Sequence, residues 1–245
     1  MKLSLRKFVR HLVVSFLSAV VVGAALANPA TIPVQPDADD PRNLRPRIWI
    51  QRHEDFLVVA KQGGIEVLFF GDSVDAWRGK AGGKIWERYF ASMHAANFGI
   101  GGDRTQHVLW RIEHGELDSL KPKVVVLMVG NNNTPVNTAA EVVEGVGAVV
   151  ANIRVRLPGA KLLLLGIFLG DQKDSPLRRK TEEVNAGIAK LADGKAIRFL
   201  GIGPKFLNPD GSISTELVPD GHHPNEQGYV VWAEAMKDSI VELLK

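Results

Sequence analysis

The sequence predicts an α/β domain built on a five-stranded parallel sheet with helices on both faces. Three observations predict it. Short apolar runs at Val67–Phe70, Ala95–Phe98, Val124–Val129, Leu162–Leu165 and Ile197–Leu200 end in Gly or Asn turns. Longer amphipathic stretches separate these runs, and strand–helix alternation of this kind implies parallel strands. Val124–Val129 has no polar alternation, as expected for a strand covered on both faces.

The chain opens with Lys2, Arg6, Lys7 and Arg10 ahead of an apolar stretch from Leu12 to Leu26. That stretch is about 15 residues, short of the ~20 that a membrane-spanning helix needs. Ala25-Leu26-Ala27 fits the small-residue cleavage rule for a secretory signal, so residues 1–27 read as a leader. Retention of the leader as an anchor is the alternative. Residues 28–46 are rich in Pro and Asp and read as a tether, or an arm lying on the domain. The domain itself is expected over residues 47–245. A helical pattern over residues 47–62 carries Ile48, Phe56 and Val59 and stops at Gly63-Gly64. Val142, Val146, Val149, Val150, Ile153 and Leu157 recur at helical spacing between the third and fourth strands. Tyr229, Trp232, Met236, Ile240 and Leu243 do the same in the last helix, and both stripes read as core packing.

Without the leader the charge changes sign. Lys plus Arg falls from 30 to 26 while Asp plus Glu stays at 27, so a net charge of +3 becomes −1. No basic surface remains to suggest a nucleic-acid partner. The chain has no cysteine, which excludes disulfides, thiolate metal sites and a cysteine nucleophile. An exported, periplasmic or extracellular location follows from the leader, with no stable membrane insertion after its removal.

In open parallel sheets, ligands bind beyond the carboxyl ends of the strands. Four segments lie there. Ser73 follows the first strand in FFGDSVDAW, where a hydroxyl at a helix start is exposed; a serine there is also a preferred cap. Asp72 reads as a turn-holding residue. The second strand ends in Asn97-Phe98-Gly99-Ile100-Gly101-Gly102-Asp103, whose bare N–H groups suit an anionic oxygen. The third ends in Gly130-Asn131-Asn132-Asn133, where an amide NH₂ is a neutral donor and Asn is also a turn former. Asp220-Gly221-His222-His223 precedes the final helix, and Asp220 can fold back to fix the tautomer of His223 as a general base. Spacing alone leaves His222 open as the base. It also leaves open a metal site made of the two histidines, Asp220 and Asp72.

These four segments, in this order, resemble the SGNH (GDSL-type) hydrolases. NFGIGGDRTQHVLWR, GELDSLKPKVVV and SPLRRK are similar to the catalytic subunits of intracellular platelet-activating-factor acetylhydrolase. The resemblance covers roughly Val67 to Leu244. Val74 stands where the family motif has Leu, and Asn133 where many members have Asp. The resemblance implies a three-layer α/β/α, flavodoxin-like sheet and ester hydrolysis with no metal or organic cofactor. It assigns Ser73 as nucleophile, His223 as base, Asp220 as its orienting acid, and Ser73, Gly102 and Asn132 as the oxyanion hole.

The expected function is a secreted serine esterase acting on short-chain, acetyl-type esters, with O-acetylated carbohydrates as substrates. Trp77 is placed to stack on a sugar, and Phe168, in Ile167-Phe168-Leu169, to line a small acyl pocket. The alternatives are a lysophospholipase or thioesterase acting on lipid esters, and a non-catalytic sugar- or anion-binding module. The sequence leaves the oligomeric state open.

Overall fold

Five short strands carry the fold: β1 (Val67–Gly71), β2 (Ala95–Gly99), β3 (Val124–Met128), β4 (Lys161–Leu165) and β5 (Ile197–Leu200). In a computed structural model that describes residues 27–36, 46–170, 172–221 and 223–245, they form one sheet. Its order is β2-β1-β3-β4-β5, and every adjacent pair is parallel. All five residues of β1 and of β3 are buried, which is why both read as unbroken apolar runs. β5, at one edge, is only half-buried and can carry Arg198.

Among the described residues, six α-helices surround the sheet: α1 (Pro46–Gln62), α2 (Lys80–Tyr89), α3 (Thr105–Glu113), α4 (Ala139–Arg156), α5 (Pro176–Ile188) and α6 (Glu226–Leu244). From β1 the chain steps outward to β2, then back across β1 to β3. Right-handed crossovers therefore put α2 on the face opposite α3, α4 and α5. α6 packs beside α2, completing the three layers. The apolar stripe of α4 is buried through Val142, Val146, Val149, Val150 and Ile153. Thr138 and Glu141 close a reciprocal cap at its start. α1 stacks Phe56 on Phe98 of β2 at 4.6 Å between ring centroids.

Ahead of α1, a short turn at Pro29–Thr31 lies against α3 and α4. Ala30 is fully buried there, and its carbonyl accepts from the Thr105 hydroxyl at 2.7 Å. Asn28 donates to the Glu141 carbonyl at 3.0 Å and to the Glu144 carboxylate at 2.9 Å. Gly145 makes room for this contact: a Cβ there would sit 2.6 Å from Thr105 Oγ1 and 2.9 Å from the Ala30 carbonyl. The leader expected over residues 1–27 lies outside the described residues except for Ala27, as do residues 37–45 of the arm. Among the described residues, no helix is long and apolar enough to cross a membrane.

Candidate active site

The first site loop begins where β1 stops. Gly71 has a φ of 124°, and a Cβ there would meet the Met128 carbonyl of β3 at 2.0 Å, so only glycine fits. The chain then turns sharply. Asp72, fully buried, donates its N–H to that same carbonyl at 3.0 Å, and Ser73 opens a 3₁₀ turn over Ser73–Arg78. The backbone thus places Ser73 at the carboxyl end of β1, an interior strand of the sheet.

The second loop follows β2, the neighbour of β1. Gly102, with a φ of 87°, lies between Gly101 and the fully buried Asp103. The third follows β3. Asn132 donates its amide to the Asp103 carbonyl at 2.9 Å, tying the second and third loops together. Its amide nitrogen also lies 3.5 Å from Asp72 Oδ2, the outer limit of a hydrogen bond, so that N–H can turn to a stronger acceptor.

Asn133 supports this arrangement from below. Its Oδ1 accepts from the Thr105 N–H at 2.9 Å, which fixes the amide's orientation. Its Nδ2 then donates to Gln106 Oε1 at 3.0 Å and to Asn137 Oδ1 at 3.2 Å. A carboxylate cannot make those two donations. An amide therefore holds the start of α3, at the position where the resemblance implies an Asp in many members.

The fourth loop brings Asp220 and His223 together. Asp220 Oδ1 accepts the His223 backbone N–H at 2.7 Å, and Oδ2 lies 2.8 Å from His223 Nδ1. With the proton on Nδ1, Nε2 is the basic nitrogen. The His223 and Asp220 side chains are 76% and 56% exposed. Coulombic attraction is well screened at such exposure, so two short hydrogen bonds across one tight turn set the geometry. Asn225 caps the following helix by accepting the Gly228 N–H at 3.0 Å.

Gly101, Gly102, Asn132 and His223 share the wall of one cavity of about 630 Å³. Its apolar lining residues include Ile167, Phe168, Leu169, Phe206, Ile213 and Val218. Phe168 packs edge-on against Phe206 and Trp232, with centroids 4.9 and 4.7 Å apart. Tyr229 also lines the cavity. Burial, aided by the nearby Asp75 charge, pushes its phenol up to about 12, so it stays a neutral hydroxyl.

One expected site residue is corrected. Trp77 is 1% exposed and does not line the cavity. Its ring packs among Trp86, Phe90, Tyr229 and Trp232, between α2 and α6, so no sugar can stack on it. The 3₁₀ turn that presents Ser73 directs the residue four places on into the core. His222, which spacing left open as base or metal ligand, lies outside the described residues.

Sequence reasoning missed a buried ionic network beneath the second loop. Arg111 of α3 is fully buried and contacts Asp103 at 2.7 Å and Glu116 at 2.7 Å. Burial alone would lower its affinity for the proton, but the two carboxylates outweigh that and raise it, so the charge is permanent. Trp49 Nε1 donates to Asp103 at 2.6 Å, and His53 Nδ1 lies 2.8 Å from Glu116.

Residues 69–231 match the GDSL-like lipase/acylhydrolase family. Platelet-activating factor acetylhydrolase IB subunit alpha2 of Homo sapiens is 38% identical over 225 residues, covering 89% of this chain and 93% of the relative. A GDSL-like lipase from Bacteroides thetaiotaomicron superposes with a TM-score of 0.63 at 16% identity, over 80% of this chain and 97% of that one. A carbohydrate acetylesterase from Sinorhizobium meliloti does so with a TM-score of 0.56 at 18% identity, over 73% and 99%. Those two likenesses concern the three-layer α/β/α fold. Sequence and fold agree: the chain belongs to the GDSL-like lipase/acylhydrolase family and is a carboxylic ester hydrolase.

Proposed function

We propose that the enzyme hydrolyses acetyl esters by transferring the acyl group to Ser73 and then to water. The reading is carried by His223, hydrogen-bonded to Asp220, lining the same cavity as Gly102 and Asn132. His223 Nε2 takes the serine proton as Oγ attacks the carbonyl, and returns it to the departing alcohol. Asp220 stabilises the imidazolium formed in between. The N–H groups of Ser73 and Gly102 and the Asn132 amide hold the tetrahedral oxyanion. Water then repeats the cycle on the acyl-serine.

For the alcohol, we favour an amphiphilic group over a sugar. An acetyl group fills a small part of about 630 Å³, and the rest of the lining sets the apolar side chains of Ile167, Phe168, Leu169, Phe206, Ile213 and Val218 beside polar ones, as an amphiphilic group requires. The residue expected to stack on a carbohydrate is buried. The likeness to a relative named for acetyl hydrolysis of platelet-activating factor supports the same choice. The carbohydrate acetylesterase likeness, at 18% identity, supports the fold alone.

A p-nitrophenyl ester series from acetate to decanoate tests the acyl preference: kcat/KM should fall by about tenfold or more from two carbons to eight, since an acyl site fitted to acetyl clashes with the added methylenes. A rise toward long chains would instead assign the apolar lining to the acyl group and make the enzyme a lysophospholipase or thioesterase. Acetylated xylo-oligosaccharides, compared with an alkyl-acetyl-glycerophospholipid, test the alcohol; preference for the sugar overturns the amphiphilic reading.

We also propose export with cleavage after Ala27, motivated by the basic, apolar and small-residue order of the leader. The secreted protein should begin at Asn28 on N-terminal sequencing. An intact Met1 terminus in the exported fraction would mean a retained anchor.

A further inference from the structure

The buried guanidinium beneath the second loop touches more than its carboxylates. All five N–H groups of Arg111 are engaged. Nε donates to Glu116 at 2.9 and 3.1 Å. Nη1 donates to Asp103 Oδ2 at 2.7 Å and to the Gly71 carbonyl at 3.3 Å. Nη2 donates to Glu116 Oε2 at 2.7 Å and to the Phe98 carbonyl. Gly71 lies two residues before Ser73, and Asp103 directly follows Gly102. One planar group therefore reaches the turn that bears the nucleophile and the loop that bears the second oxyanion donor. The Gly71 carbonyl also accepts the Ile100 N–H at 3.1 Å, so the two loops share an anchoring oxygen as well.

We infer that Arg111 is a positioning residue of the oxyanion hole, holding the N–H groups of Ser73 and Gly102 at a fixed separation, with Trp49 as its outer brace through Asp103. The inference rests on the acyl-serine reading above. A buried ionic network is a poor way to gain stability alone, because the desolvation of its charges offsets their attraction and apolar side chains fill such space as well. Fixing geometry is a task that apolar side chains perform badly, and the rigid five-donor fork of arginine suits it where a lysine ammonium does not. Arg111 does not line the cavity, so its effect falls on the transition state and leaves ground-state binding alone.

The test compares Arg111→Lys and Trp49→Phe with the full-length enzyme. Turnover of p-nitrophenyl acetate is expressed per mole of serine titrated by a fluorophosphonate probe, counted by intact mass. Misfolded molecules drop out of that ratio. Arg111→Lys should lower kcat by about 10²-fold, as a displacement near 1 Å does. Trp49→Phe, which keeps the ring and deletes the 2.6 Å donor to Asp103, should lower it about tenfold. KM should stay within about twofold in both. The labelling rate should fall in step with kcat, because the phosphonyl oxygen uses the same N–H groups. Should Arg111→Lys fail to fold, Trp49→Phe decides. A kcat per titrated serine within about twofold of wild type overturns the inference, however far the melting temperature drops. Full turnover in Ser73→Ala removes the acyl-serine reading itself, and the inference with it.

Discussion

Ser73→Ala and His223→Ala should each lower turnover of p-nitrophenyl acetate by about 10⁴-fold or more. In the proposed mechanism the first change deletes the atom that forms the acyl bond, and the second deletes the base that frees it. The two act as a unit, so the double variant should be little worse than either single one. Asn132→Ala is different in kind. It removes one of the three proposed oxyanion donors and should cost about 10²–10³-fold in kcat, leaving a measurable remnant. Initial rates, with circular dichroism to confirm folding, separate the two classes. Full activity in Ser73→Ala would falsify the mechanism; equal losses in all three variants would point to a collapsed site in place of a graded one.

Asp220→Asn should be nearly as severe, at about 10³–10⁴-fold in kcat. The carboxylate takes two hydrogen bonds from His223, one from the backbone and one with Nδ1. An Asn in its place offers NH₂ to Nδ1, moving the ring proton to Nε2, where it blocks acceptance of the serine proton. Shape is conserved and the tautomer is wrong. Because the pair is largely exposed, little of the loss comes from long-range charge, and raising the salt concentration on the wild type should barely change kcat. NMR of the imidazole nitrogens reads the tautomer directly. A variant with the proton still on Nδ1 and unimpaired turnover would show that Asp220 does not orient the base.

The sheet was legible because parallel strands buried on both faces must be apolar throughout, and β1 and β3 are. The four site loops were legible because each follows a strand or precedes a helix in a fold whose crevice lies at one edge. Two features escaped for physical reasons. Asp103, Arg111 and Glu116 look like the solvated face of a short helix in sequence, and their buried partners Trp49 and His53 lie 54 and 63 positions upstream. Only tertiary packing of α1 on α3 makes the charges internal. Trp77 failed in the opposite sense. A large ring four places after Ser73 suits a sugar platform on paper, but α6 supplies Tyr229 and Trp232 to bury it.

The short segment from Asn28 to Val34 carries a practical lesson for making this enzyme. Thr105, at the first turn of α3, spends its hydroxyl on Ala30, and the Gln106 carbonyl receives the Val34 N–H at 3.2 Å. An expression clone begun at Pro46 would strip both contacts from the helix that backs Gly102 and leave a glycine-lined notch open on α4. Recombinant versions should start no later than Asn28, and purification handles belong at the carboxyl terminus, beyond Leu244.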